Sequence, residues 1–217
     1  MLQTAIRATN GGDWMLLILA VAFFVICVSE YSSSRGILNT WYRYSIKVDT
    51  LLKEVKELPK VTLSLYGRLT VYLLAAALVI FSYFKRNDLN YEDDLKGFLL
   101  VFVAFIIFHL VKHYLSKLIS NLLKIEDLYN ALSYLKSYHF GLLGYFIWLT
   151  FLVFVVSGGE FSQDIFFGIV LVAWVLNAMT IIFRSLTLFG IKPYHYIVYL
   201  CTLEILPYLV FIKILIG

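Results

Sequence analysis

Charge is what this sequence has least of. Only 15% of its 217 residues are Asp, Glu, Lys or Arg, and 61% are hydrophobic. An ordinary globular domain carries roughly 25% and roughly 45–50% respectively. Proline is also scarce, with three in the chain, so little interrupts long helices. The two cysteines, Cys27 and Cys201, both lie in apolar runs. That excludes a disulfide framework or a cysteine-based metal site, and both read as small buried hydrophobes. A net charge of +4 is modest for a nucleic-acid binder, and no nucleic-acid partner is expected. Catalytic motifs are missing too. No G-x-x-x-x-G-K-S/T, G-x-S-x-G or G-x-G-x-x-G match occurs, so phosphate cradling and acyl transfer have nothing to rest on. The apolar runs hold neither the nucleophile nor the paired aspartates an intramembrane protease needs. The expectation is a protein that is not an enzyme and uses no cofactor.

What the chain does have is apolar residues blocked into long runs. Runs such as Leu69 to Phe84 do not alternate, which argues against a β-barrel. Helices satisfy their backbone hydrogen bonds internally and are the structure expected in lipid. The fold class is therefore all-α, a single polytopic membrane bundle over residues 1–217. Six spans are expected, at about 14–29, 66–84, 98–118, 139–156, 165–183 and 194–216. The first is short and competes with a signal peptide. It is read as a retained helix, because Arg7 is its only basic flank and no small-x-small cleavage site follows.

Two stretches read as surface helices. Between 37 and 58, Ile37, Trp41, Tyr44, Val48, Leu51, Val55 and Leu58 recur at alternating spacings of four and three, one stripe of a helix. Arg43, Lys47, Lys53 and Lys56 occupy other faces, and Pro59 supplies the stop. Such a helix, with Trp41, Arg43, Tyr44, Lys47, Leu51 and Val55 as its contact residues, suits the membrane surface or a partner's groove. It equally suits the end of its own bundle. Residues 120–138, with Ile125, Leu128, Leu132 and Leu135 at helical spacing, form a second surface-type stretch.

With the N-terminus outside, the inner segments hold thirteen of the eighteen Lys and Arg residues and the outer side five. The positive-inside rule then places both termini outside and the 37–58 helix in the cytoplasm.

Polar residues within the spans are the candidate site. Glu204 sits in the last run, three residues before Pro207. At ~1.5 Å per residue it lies on the order of 15 Å from Tyr194, near the bilayer midplane. Pro207 has no N–H, so the Leu203 carbonyl loses its helical donor and the helix kinks. A protonated Glu204 could donate to a carbonyl freed by that kink; an ionised one could pair with His109 or Arg68. Asn177 and His109 fall in the inner half of the bundle, and His113 and Arg68 near its inner boundary. Polar groups at this depth cost at least ~2.5–3.5 kcal/mol if charged and unpaired, so they should face one another. Two readings stay open: a proton- or ion-coupled site with Glu204 titrating and His109 or His113 as relay, or a structural interhelical hydrogen bond. His109 and His113 share a helix face, but Lys112 stands beside them and no H-E-x-x-H arrangement occurs, so no metal is expected.

Three stretches together carry a resemblance: Asp13-Trp14, Lys112-His113-Tyr114, and Tyr199-Leu200-Cys201-Thr202-Leu203-Glu204-Ile205-Leu206-Pro207 followed by Lys213. They resemble an uncharacterised family of small inner-membrane proteins of Bacteroidota, domain of unknown function 4271, over nearly the whole chain. The resemblance implies a bacterial inner-membrane location and no activity, substrate or cofactor. Combined with the residues, the expected function is a non-enzymatic membrane subunit that assembles with or anchors a cell-envelope complex. Its partners would be the lipid bilayer and other proteins or further copies of itself. The alternative is a small proton- or ion-coupled transporter or channel component.

Overall fold

The computed structural model describes residues 13–31, 63–86, 94–122, 126–157 and 163–189. These form five helices: α1 (Asp13–Tyr31), α2 (Leu63–Arg86), α3 (Asp94–Leu122), α4 (Glu126–Val156) and α5 (Gln163–Phe189). The described residues contain no strand, and each helix is long and apolar enough to cross a membrane. All five correspond to expected spans. The sixth expected span, 194–216, and the expected surface helix, 37–58, lie outside the described residues.

The expectation for 120–138 needs correcting. Its C-terminal part is not a separate surface stretch but the first turns of α4, which runs unbroken through 31 residues. Leu132 and Leu135 point into the protein, and Leu135 is fully buried. No proline or glycine interrupts residues 126–140, so nothing stops a helix there. At ~1.5 Å per residue α4 is about 46 Å long, more than the ~30 Å hydrocarbon core. The polar residues at its start extend a span beyond the hydrocarbon; they do not begin a new element.

α2 is the centre of the bundle. Of its membrane-length window 61% is buried, against 17–33% for the other four. Its sequence explains why. Ala75, Ala76 and Ala77 are all buried and small, flanked by the large buried side chains Tyr72, Leu78 and Phe81. Small residues let neighbouring backbones approach closely, and in lipid that packing is a main source of helix association. α4 lies along one side of α2 and runs in the same direction. A Cβ placed on Gly141 would meet the Arg68 Cβ at 2.7 Å, and one on Gly144 would meet the Tyr72 backbone at 2.5 Å.

Aromatic rings fill the remaining seams. At one end Trp14 of α1 packs on Phe81 and Phe98, with centroids 5.7 and 5.3 Å away. Near the same end Phe166 of α5 stacks on Phe154 of α4 at 4.8 Å. Further along, Tyr72 packs against Phe140 at 4.9 Å. Outward faces of α1, α3 and α5 stay exposed and apolar, as lipid-facing surfaces should. Phe24, Val111 and Leu171 exemplify them. Cys27, expected to be a buried hydrophobe, lies on such a face of α1. Its apolar character suits lipid as well as it suits a protein core.

Hydroxyl groups on these helices return to their own backbone. Thr70 Oγ1 donates to the Tyr66 carbonyl, Ser82 Oγ to Leu78 and Thr180 Oγ1 to Leu176, at 2.8–2.9 Å. Such back-bonding satisfies a hydroxyl where no water is present.

Candidate functional site

The strongest polar constellation joins the end of α1, the start of α2 and the middle of α4. Arg68, one and a half turns into α2, is only 3% exposed. Its Nη2 lies 2.9 Å from Oε1 of Glu30, the penultimate residue of α1. Its Nε donates to the same oxygen at 3.0 Å. The Tyr145 hydroxyl of α4 donates to that oxygen as well, at 3.0 Å. Beside the pair, Ser29 Oγ donates to the Ser64 carbonyl at 2.9 Å, tying α1 to α2 a second time.

Local sequence makes this approach possible. A Cβ on Gly67 would sit 2.8 Å from the Ser29 side chain, and Gly141 gives Arg68 its room on the α4 side. Taking a carboxylate and a guanidinium out of water costs several kcal/mol per ion. Their attraction offsets that only when geometry is good and the remaining valences are bonded. Here Arg68 Nε and the Tyr145 hydroxyl both donate to one carboxylate oxygen, with Nη2 beside it at ion-pair distance. The site acts as a neutral clasp across three helices. A second tie lies further along: Trp148 Nε1 donates to the Leu19 carbonyl at 3.0 Å, and its ring stacks on Phe23 at 5.7 Å.

The sequence-expected site residues are distributed differently. Arg68 is at the clasp, and its partner is Glu30. His109 on α3 is half-buried in an aromatic box of Phe105, Phe108 and Tyr72, with centroids at 4.4, 5.5 and 6.0 Å. Its Nδ1 lies 3.0 Å from the Phe105 carbonyl of its own helix. A carbonyl only accepts, so Nδ1 carries a proton. His113, one turn on, is exposed and meets Tyr129 of α4 at 3.0 Å from its Nδ1. Asn177 lies on α5 with its Nδ2 buried and without a hydrogen-bond partner among the described residues. No hydrogen bond or ion pair links Arg68, His109, His113 and Asn177 to one another. Tyr72, one turn beyond Arg68, does place a ring against His109. Glu204, Pro207, Trp41, Arg43, Tyr44, Lys47, Leu51 and Val55 lie outside the described residues.

Sequence reasoning missed Glu30, Tyr145, Ser29 and Ser64. Glu30 had a legible signal. It closes the first apolar run and Arg68 opens the second, so an antiparallel pairing of those helices sets opposite charges at one depth. Tyr145 had none, being one of sixteen tyrosines in the chain.

No curated protein and no solved structure matches the chain. Residues 15–215 match the family described as Domain of unknown function (DUF4271). That match takes in the five helices, save the first two residues of α1, and the Glu30–Arg68–Tyr145 clasp, and the chain belongs to that family.

Proposed function

We propose that this protein is a non-enzymatic integral subunit of the bacterial inner membrane, one that assembles with or anchors a cell-envelope protein complex. Both termini face the periplasm, and the Glu30–Arg68 end of the bundle faces the cytoplasm with most of the basic residues. One observation carries the reading. At one end of the bundle Glu30 with Arg68 and Tyr145, and Ser29 with Ser64, tie α1, α2 and α4 together, and further along Trp148 ties α4 to the Leu19 carbonyl of α1. Contacts that fasten helix to helix stiffen a bundle, which is what a scaffold requires.

Purification of the full chain from membranes in mild detergent tests this. Stoichiometric partner proteins are expected to accompany it. A monodisperse preparation free of other proteins would contradict the subunit reading.

A second reading, a small proton- or ion-coupled transporter or channel component built on Glu204 with His109, His113 and Asn177, is favoured by one feature. The Asn177 amide is a buried donor without a hydrogen-bond partner among the described residues, and such groups mark polar pathways in membrane helices. Glu204→Gln removes a titrating charge while keeping most of the shape. If cellular function is unchanged across pH in that variant, this second reading fails.

A further inference from the structure

The end of the bundle that carries the clasp also holds a group of residues with no part in it. α3 runs antiparallel to α2, so its last turns lie at the end where α2 begins. There His113 and Lys117 are exposed and one turn apart, which puts them on one helix face. On a wheel of 3.6 residues per turn they border the arc of Leu110, Tyr114 and Leu118, which are 50%, 66% and 57% exposed. That arc belongs to a span-length apolar helix, so its surroundings are acyl chains. Lys117 makes no ion pair among the described residues.

Tyr129 gives the group a fixed geometry. Its hydroxyl donates to the His113 carbonyl at 3.2 Å and lies 3.0 Å from the His113 Nδ1. A phenol proton committed to the carbonyl leaves the phenol oxygen to accept from Nδ1–H. The ring is thereby held from α4, and in its imidazolium form His113 presents a second donor, Nε2–H, to an external anion.

We propose that His113 and Lys117, with Tyr129 fixing the His113 ring, form a binding site for the headgroup phosphate of an anionic phospholipid, with its acyl chains along Leu110, Tyr114 and Leu118. Cation and apolar arc adjoin on one helix near its membrane end, where a phospholipid presents phosphate and acyl chain side by side. A soluble phosphate would use the cation and leave the apolar arc unexplained. The site is independent of the subunit reading and requires only that α3 spans the membrane.

Native mass spectrometry of the full chain, purified in detergent with equal phosphatidylglycerol and phosphatidylcholine, tests it. Wild type is expected to retain phosphatidylglycerol preferentially. Lys117→Gln should lower that retention about fivefold, the weight of one basic residue at a membrane surface. Lys117→Arg should keep it, as should Lys85→Gln at the opposite end of the bundle. Lys117 is exposed, so helix content and elution volume are expected to be unchanged in these variants. Equal retention of the two lipids by wild type would overturn the proposal. So would undiminished retention by a Lys117→Gln, His113→Gln double variant. Displacement of the lipid by millimolar inorganic phosphate would assign the site to a soluble anion and overturn it equally.

Discussion

One Glu30 oxygen accepts from two side chains, Arg68 and Tyr145, and the two differ in their tolerance for change. Tyr145 contributes a neutral hydroxyl to a carboxylate that Arg68 already holds. Tyr145→Phe should therefore cost only about 1–2 kcal/mol in a reversible unfolding titration in detergent, with the bundle otherwise intact. A loss above that range would mean the phenol carries more of the clasp than its single bond suggests. Legibility at this scale was partial. Arg68 stood out in the sequence because an arginine inside an apolar run needs a partner. Its partner did not, because Glu30 ends its run beside Tyr31-Ser32-Ser33-Ser34 and reads there as an ordinary boundary residue. Which carboxylate meets which cation is decided by helix pairing, and one sequence carries no direct record of that.

At the scale of the element, α2 and α4 are held by what they lack. Gly144→Ala would drive a methyl group to 2.5–2.7 Å from the Tyr72 Cα and N, and backbone cannot swing aside as a side chain can. That substitution should separate the two helices and cost about 1–3 kcal/mol, the range of overpacked cores. Gly168 on α5 has nothing within 4 Å of the same position. Gly168→Ala should be neutral or stabilising by up to about 1 kcal/mol, the difference in helix propensity. Thermal unfolding of both variants in one detergent checks the contrast; similar midpoints would refute the close approach. The helices themselves were largely legible, because long apolar runs in lipid have few alternatives. Their ends were less so. The 120–138 stretch looked separate since its polar residues outnumber those of the span it leads into. Hydropathy marks where lipid stops, whereas a helix continues until a proline, a glycine or a cap ends it.

For the whole molecule, membership of an uncharacterised family adds no mechanism, so the account stands on the bundle. Four span-length helices pack around α2, the Glu30–Arg68–Tyr145 clasp ties α1, α2 and α4 together, and the outward faces suit lipid. The subunit reading assumes that the Glu30–Arg68 pair fastens α1 to α2 as a structural unit. A double-mutant cycle tests that directly, with unfolding free energies in detergent for wild type, Glu30→Ala, Arg68→Ala and the double variant. Each single substitution leaves an uncompensated charge at a largely buried site, so each should cost about 3 kcal/mol. The double variant should cost far less than their sum, giving a coupling of about 2 kcal/mol or more. Additive losses, within about 0.5 kcal/mol, would show that the two charges do not hold each other and would contradict the clasp.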